Sequence, residues 1–305
     1  MQTYSRPYQH DADFWRIREL LITTYPRNQN RHNWEIRRWE GWCSHRDEDD
    51  ALIGDRPWQA TVRIWETAAG DLVGAVHPEG PGWIFLEIHP DFRHLEDEMI
   101  AWGEEHLAVP GPDGGQQAYL DVYEYDTLRQ SLLVRRGYEQ LPGFGAYRRR
   151  WMDQPIPAVA VPDGYTVRTL RDDDADCQRF ADLLNAAFGR TFHTAEELRR
   201  FHQSPSYRSD LDIVIEAPDG TLAATAGVTY DEANRVGTFE PVCTHPDHLR
   251  RKLAQAAMVE GLRRLAALGA VMAEVGTGDM VAANRLYESL GFTDVDIDHA
   301  WRKVW

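Results

Sequence analysis

The feature that most constrains the fold is an internal repeat, because the second half of the chain copies the first at an offset of about 155 residues. Tyr4-Ser5-Arg6 precedes Asp11-Ala12-Asp13 as Tyr165-Thr166-Val167-Arg168 precedes Asp174-Ala175-Asp176. His89-Pro90-Asp91 likewise returns as His245-Pro246-Asp247. A chain of 305 residues is long enough for two domains of ordinary size. The repeat therefore predicts one fold in tandem.

Hydrophobic periodicity gives the same order of elements in both halves. In the first half we expect helices at residues 13–25, 34–43, 95–106 and 127–136, and strands at 61–66, 72–77, 83–89 and 117–122. In the second half we expect helices at residues 175–188, 195–203, 254–268 and 281–290, and strands at 212–217, 221–229, 236–243, 271–275 and 295–304. Strands joined by short turns pair antiparallel, and an intervening helix allows a parallel step. The class is α/β, with mixed, mostly antiparallel sheets flanked by helices.

Composition excludes several classes of protein. The net charge of −16 argues against a nucleic-acid partner, because phosphate backbones bind basic surfaces. No apolar run approaches the roughly 20 residues of a membrane span, and the N-terminus lacks the layout of a signal peptide. Three widely spaced cysteines fit a reducing compartment, so we expect a cytoplasmic protein. The oligomeric state stays open.

One segment of the second half combines a strand, a basic turn and a helix. The strand ends in Val242-Cys243-Thr244-His245-Pro246, the turn contains Arg250-Arg251-Lys252, and small or apolar residues then recur at helical spacing from Ala254. A helix N-terminus presents unpaired N–H groups and the positive end of the helix dipole. With the three cations, this turn is a candidate site for a phosphorylated ligand.

This segment resembles the acyl-CoA site of the GCN5-related N-acetyltransferases (GNAT). A second match follows in the expected order, because Ala283-Asn284-Arg285-Leu286-Tyr287-Glu288-Ser289-Leu290-Gly291-Phe292 resembles the last helix of that family, A-x-x-L-Y-E-x-x-G-F. The resemblance implies two tandem GNAT-like domains and acetyl-CoA, or another acyl-CoA, as co-substrate.

The resemblance also implies which residues hold the cofactor. The family turn R/Q-x-x-G-x-G/A, which wraps the CoA diphosphate, aligns with Leu249, Arg250, Arg251, Lys252, Leu253 and Ala254. Ala254 fits this pattern, whereas Leu249 and Lys252 replace the basic residue and the glycine. Val242, Cys243 and Thr244 would bind the pantetheine arm, and Asn284 is a further candidate. In the first half, Glu96-Asp97-Glu98 stand where a diphosphate would lie, so we expect no CoA there.

Two residues are candidates for proton transfer. Tyr287 matches the family tyrosine that protonates the departing thiolate, and its counterpart in the first half is Leu133. Glu240 is the candidate base for the acceptor amine, and strand alternation would place it on one face with Val242 and Thr244. Cys243 would then point away and serve as a small core residue rather than a nucleophile.

The sequence therefore predicts an N-acyltransferase that moves an acyl group directly to an amine in a ternary complex. The expected domains are residues 1–152, a degenerate GNAT-like unit, and residues 164–305, the unit with the acyl-CoA site, with a proline-rich linker at 153–163. The acceptor is a small-molecule or peptide amine. His245 and His248 have no set of ligands around them, so we expect no metal. The alternative is a non-catalytic protein that keeps the fold for ligand binding or assembly.

Overall fold

The chain forms two compact units, and one of them is built from two separate segments of the sequence. A computed structural model describes residues 2–9, 11–27, 32–44, 58–111 and 114–305. Unit 1 comprises Met1–Gly145 together with Asp296–Trp305, and unit 2 comprises Ala146–Val295. Both units are α/β with mostly antiparallel strands, which confirms the predicted class.

Unit 1 has two sheets. Its elements are β1 (Thr3–Pro7), α1 (Asp11–Thr24), α2 (Ile36–Ser44), β2 (Arg63–Thr67), β3 (Leu72–His77), β4 (Phe85–Ile88), α3 (Glu96–Leu107), β5 (Val109–Pro110), β6 (Gln116–Tyr123), α4 (Thr127–Arg136), β7 (Glu139–Gln140) and β14 (Asp294–Val304). Strands β1 to β4 form an antiparallel meander. Strand β14 pairs antiparallel with β6 and with the short β7, and β5 pairs with β6.

Unit 2 has one sheet in the order β8, β13, β12, β11, β10, β9. Its elements are β8 (Gly145–Trp151), β9 (Thr166–Thr169), α5 (Asp174–Phe188), α6 (Ala195–Phe201), β10 (Asp212–Glu216), β11 (Leu222–Asp231), β12 (Val236–Thr244), α7 (Leu253–Ala267), β13 (Met272–Thr277) and α8 (Val281–Ser289). Only β12 and β13 are parallel, because helix α7 connects them and lets the chain return in the same direction.

The boundaries of the two units differ from those expected at residues 152 and 164. Strand β8 precedes the expected boundary, yet it pairs with β13 of unit 2. The proline-rich segment belongs to unit 2 as well, because Ile156, Val159 and Val161 pack against its core. Arg150 also donates hydrogen bonds to the carbonyls of Gln154 and Pro155. Residues 153–163 are therefore packed structure and do not form a free linker.

The sheet of unit 2 buries a different core on each face. Phe239, Leu262 and Phe292 belong to the core formed with α7 and α8, which we call the α7 face. Phe180, Val214 and Cys243 belong to the core formed with α5 and α6, which we call the α5 face. A residue of the sheet can thus be assigned to a face by the core that it joins.

The repeat is visible in an ion-pair network present in both units. In unit 2, Arg168 donates to Asp176 and Glu216, while Arg179 donates to Asp176 and the Gly220 carbonyl. The same set occurs in unit 1, where Arg6 donates to Asp13 and Glu66. There, Arg16 donates to Asp13 and the Gly70 carbonyl. Each network ties the first helix of its unit to two strands, which explains why the spacing of arginine and aspartate recurs in the sequence.

Replacing Asp176 by asparagine should destabilise the chain by about 3 kcal/mol, because it removes the buried carboxylate that Arg168 and Arg179 share and leaves Arg168 paired with Glu216 alone. Burial raises the pKa of Asp176, but the hydrogen bonds from Arg168 and from the Arg171 N–H more than offset this, so the net pKa is lowered. The stabilisation is therefore present above the ordinary pKa of aspartate and is lost as the pH falls below it.

The denaturation midpoint in urea measures this effect. Asp174→Asn is the matched control, because Asp174 is exposed and pairs with Arg199 at the surface. We expect the control to change stability by less than about 0.5 kcal/mol. Equal midpoints for the two variants would contradict a structural role for the network.

Candidate active site

The parallel ladder between β12 and β13 stops early. The two strands pair only at Val236↔Met272, Gly237↔Ala273 and Thr238↔Glu274. From Phe239 to Thr244, β12 pairs with β11 on its other side. Backbone N–H and C=O groups on the β13 side of this stretch are therefore available to an extended polar ligand. Val242, Cys243 and Thr244 lie here, as the sequence predicts for the pantetheine contacts.

A bulge in β12 changes which face its side chains occupy. The register with β11 shifts between Ala226 and Val228, so one residue of β12 is extra. Phe239 and Val242 consequently pack against the same core on the α7 face, although they are three residues apart. Cys243 lies on the α5 face. The bulge interrupts the regular alternation on which Glu240 was expected to share a face with Val242 and Thr244, so the face of Glu240 stays a prediction.

A cavity of about 520 Å³ opens where β12 passes into α7, and we call it the basic cavity. Four cationic side chains line it, and its lining contains no carboxylate: the residues are Thr244, Arg250, Arg251, Lys252, Leu253, Ala254, Gln255, Ala282, Arg285, Leu286 and Ser289. The first turn of α7 contains no acidic residue. Positive charge, helix dipole and open N–H groups therefore favour an anion at this place.

The structure explains the departure from glycine at Lys252. Lys252 has φ 61° and ψ 25°, which is the left-handed conformation that glycine adopts most easily. Arg250 also has a positive φ, of 60°. The backbone path suited to glycine is thus kept by residues with side chains, at a cost of about 1 kcal/mol each. In return, two cations line the cavity.

Helix α8 supplies the wall of the basic cavity that the sequence reasoning missed. Ala282, Arg285, Leu286 and Ser289 line it, and their spacing is that of one helix face. Gln255 of α7 donates to the hydroxyl of Ser289 at 3.2 Å and joins the two helices there. Arg285 lies in the second motif at a position that the family pattern leaves free, so its cationic character was the available signal.

Tyr287 lies on α8 but does not line the basic cavity. Its side chain is buried at 5% exposure and packs in the α7-face core. Burial raises the pKa of Tyr287 to about 12, and the nearby Glu240 and Cys243 raise it further. The phenol therefore keeps its proton at neutral pH, close to the candidate base. Burial also raises the pKa of the Cys243 thiol to about 12, which makes it a poor nucleophile.

Asn284 and Leu249 have more peripheral positions. The Asn284 amide donates to the carbonyls of Gly278 and Met280, and its oxygen accepts from Arg148 at 2.8 Å. This side chain therefore orders the start of α8, and it does not line the basic cavity. Leu249 is exposed just before the turn. The cofactor roles of both residues stay predictions.

The corresponding turn of unit 1 is filled by the protein itself. Glu96, at the start of α3, is buried and accepts from Arg93 and Arg129. Asp97 pairs with Arg136, and Glu98 accepts from the Trp65 indole. These carboxylates lie at a helix start, where unit 2 presents cations, and the lack of CoA binding in the first half stays a prediction.

Groups of three or more His, Cys, Asp or Glu side chains with a geometry suited to a metal ion are absent from the described residues. Within the same ranges, no helix is both long and apolar enough to span a membrane.

Parting strands beside a cationic helix start are the features that a site for an acyl-CoA would need. A family model described as "Acetyltransferase (GNAT) family" matches residues 177–292, which lie within unit 2. Unit 2 therefore matches this family over most of its length, and the chain as a whole has the fold of a tandem GNAT protein. This match supports acyl-CoA-dependent N-acetylation in general.

Two curated proteins are similar to this chain in sequence. The mycothiol acetyltransferase of Thermobispora bispora is 27% identical over 75% of this chain and 78% of its own length. That of Thermomonospora curvata is 32% identical over 50% of this chain and 52% of its own.

Solved structures show the same fold. A GCN5-related N-acetyltransferase from Sphaerobacter thermophilus has a TM-score of 0.65 at 21% identity and covers 99% of this chain and 95% of its own. A tandem GNAT protein from the clavulanic acid biosynthesis pathway has a TM-score of 0.67 at 15% identity, and the match covers 99% of this chain and 98% of that protein.

Paired substitutions at Lys252 separate its charge from its backbone. Lys252→Gly and Lys252→Ala both remove the cation, but only glycine adopts a positive φ without strain. We expect the glycine variant to be more stable than the alanine variant by about 1 kcal/mol in thermal or urea unfolding. Both should bind CoA roughly fivefold more weakly than the unmodified chain, since each loses one phosphate contact. Equal stability of the two variants would contradict the left-handed turn.

The raised pKa of Tyr287 predicts the alkaline behaviour of turnover. A phenol with a pKa of about 12 stays protonated well above its ordinary pKa, so the acid form is retained as the pH rises. We therefore expect kcat to show no alkaline decline due to Tyr287 up to about pH 10. A decline with an apparent pKa near 10 that disappears in Tyr287→Phe would contradict this prediction.

Proposed function

We propose that unit 2 binds acetyl-CoA and transfers its acetyl group directly to the amine of a small-molecule or peptide acceptor. The basic cavity at the start of α7 is the observation that carries this proposal. Its four cations and open helix N-terminus suit a diphosphate. The polar edge of β12 leads from this cavity toward Tyr287 and Glu240, as an extended arm ending in a thioester would require.

The proposed chemistry uses two proton-transfer groups. The acceptor amine attacks the thioester carbonyl and loses its proton to Glu240, directly or through a water molecule. The C–S bond then breaks, and Tyr287 donates its proton to the leaving thiolate. The raised pKa of Tyr287 supports the acid role, because the proton is present before the thiolate forms.

Direct transfer is favoured over an acyl-enzyme. Cys243 is the nearest candidate nucleophile, but its thiol is buried and its pKa is raised. A protonated, buried thiol is inert toward a thioester. Acetyl is the proposed acyl group because of the family, and the names of the curated relatives place a mycothiol-related amine in the acceptor panel.

A non-catalytic role has less support. Its motive was the lost glycine at Lys252, but the backbone there keeps the left-handed conformation. Tyr287 also retains a position next to Glu240. Unit 1 is proposed to serve as the scaffold partner, since its own carboxylates fill the equivalent turn.

Calorimetry with acetyl-CoA tests where the cofactor binds. We expect one site per chain, and Lys252→Glu should weaken binding at least tenfold because it places a carboxylate beside the diphosphate. Arg263→Glu is the matched control, since it reverses a charge on an exposed part of the same helix. It should change the affinity by less than about twofold. Two sites per chain, or equal effects of both variants, would contradict the proposal.

Steady-state kinetics tests the two catalytic assignments. Tyr287→Phe and Glu240→Gln should each lower kcat by about 10²-fold or more, as removal of a general acid or base does. Intersecting initial-rate patterns are expected for a ternary complex, whereas parallel patterns would indicate an acyl-enzyme. Unchanged kcat in a variant would refute that residue's role.

A further inference from the structure

Asp212 is a buried carboxyl group that the proposed chemistry does not use. It begins β10 and is only 7% exposed. Its Oδ2 accepts a hydrogen bond from the Tyr207 hydroxyl at 3.4 Å and lies 3.7 Å from His202 Nε2. The His202 ring stacks on Tyr207 at 4.3 Å and completes this support. Its Oδ1 accepts no hydrogen bond from any residue in the described ranges.

The free oxygen of Asp212 is directed toward the bulge that carries Glu240. Asp212 pairs with Gly227 of β11, and a Cβ at position 227 would lie 3.6 Å from Oδ1. The same Cβ would lie 3.1 Å from the Glu240 carbonyl and 3.2 Å from the Pro241 ring. A side chain at position 227 would therefore crowd the neighbouring strand, and with glycine there no side chain of residue 227 lies between Asp212 and the bulge that carries Glu240.

Other polar groups share this part of the sheet. Asp212 alternates with Val214, so its side chain lies on the α5 face. Thr238 precedes Phe239 and points to that face as well, where it donates to the fully buried Glu274 at 3.0 Å. Tyr147 donates to the same carboxylate at 3.1 Å. Glu274 is thus satisfied within the protein, whereas Asp212 keeps one acceptor oxygen open.

We propose that Asp212 is a specificity-determining residue, whose Oδ1 accepts a hydrogen bond from a second donor group of the acceptor amine. The inference rests on the proposed function and names its substrate class, namely amines that also carry an ammonium or hydroxyl group. A buried acceptor oxygen rejects ligands that leave it without a donor. Apolar alkylamines should therefore be poor acceptors.

Sheet geometry sets the spacing between the two donor groups. Asp212 and Glu240 lie on strands separated by β11, so their backbones are about 10 Å apart. The two side chains and two hydrogen bonds of about 2.9 Å each take up part of this separation, so the reacting nitrogen and the second donor should be only a few bonds apart. Acceptors with three carbons between the two groups are therefore used below. Burial raises the pKa of Asp212 to about 7, while the Tyr207 hydroxyl lowers it, so a bound ammonium would favour the ionised form.

The test uses three acceptors of similar size with acetyl-CoA as donor: 1,3-diaminopropane, 3-amino-1-propanol and n-butylamine. For the unmodified chain, we expect kcat/KM for the first two to exceed that for n-butylamine by about tenfold or more. Asp212→Ala should remove this preference mainly by raising KM for the first two acceptors, while kcat/KM for n-butylamine should change by less than about twofold. Asp210→Asn, an exposed neighbour paired with Arg208, should leave all three unchanged.

The conservative variant distinguishes charge from hydrogen bonding. Asp212→Asn keeps an acceptor oxygen but no charge, so it should retain the preference for the amino alcohol and lose most of that for the diamine. If Asp212 had a purely structural role, its variants would lower kcat/KM for all three acceptors alike, and this result would overturn the inference. An unmodified chain that uses n-butylamine as well as the other two would also overturn it, even if a variant fails to fold.

Failure of the proposed function is recognised separately. Absence of acetyl transfer to every amine would refute the function, and ligand-induced shifts in Tm then test Asp212 alone. A larger shift with 1,3-diaminopropane than with n-butylamine, abolished in Asp212→Ala or Asp212→Asn, would support the site without catalysis. Equal shifts with both amines in the unmodified chain would overturn it.

Discussion

The early end of the parallel ladder between β12 and β13 is the constraint on which the site depends. Backbone pairing ends at Thr238, and the β12 bulge that follows redirects the strand. Polar backbone groups beyond that point must find partners other than β13. The open edge, the basic turn at its end and Tyr287 beside it are all consequences of two strands that part in the middle of a sheet.

The two units show which parts of the fold serve structure and which serve the ligand. Both keep the arginine–aspartate–glutamate network that ties the first helix to the sheet, as in Arg168 with Asp176. They differ at the helix start, where Glu96 of unit 1 is held by its own arginines and Lys252 of unit 2 faces a cavity. An inward carboxylate stabilises unit 1 and, by the same charge, makes it unsuited to a diphosphate.

Sequence reasoning predicted well wherever the information was local. Helix α4 begins and ends at the predicted residues, 127 and 136, and β3 does so at 72 and 77. The boundaries of the compact units differ from the predicted domains because β8 pairs with a strand of the second half and β14 with a strand of the first, and strand pairing is not encoded locally. The bulge of β12 was not predicted for a related reason, since an extra residue in a strand shows only in its pairing with the neighbouring strand.

By itself, the sequence determined the repeat, the order of the elements, the resemblance to a family and the cationic turn at Arg250 to Lys252, because periodicity, composition and short motifs are properties of neighbouring residues. Only the tertiary structure decided that Lys252 adopts the conformation of a glycine, that Arg285 completes the cavity wall, and that Asp212 directs a free oxygen toward Glu240 across Gly227. These facts depend on which distant segments pack together, and packing is settled by the whole chain.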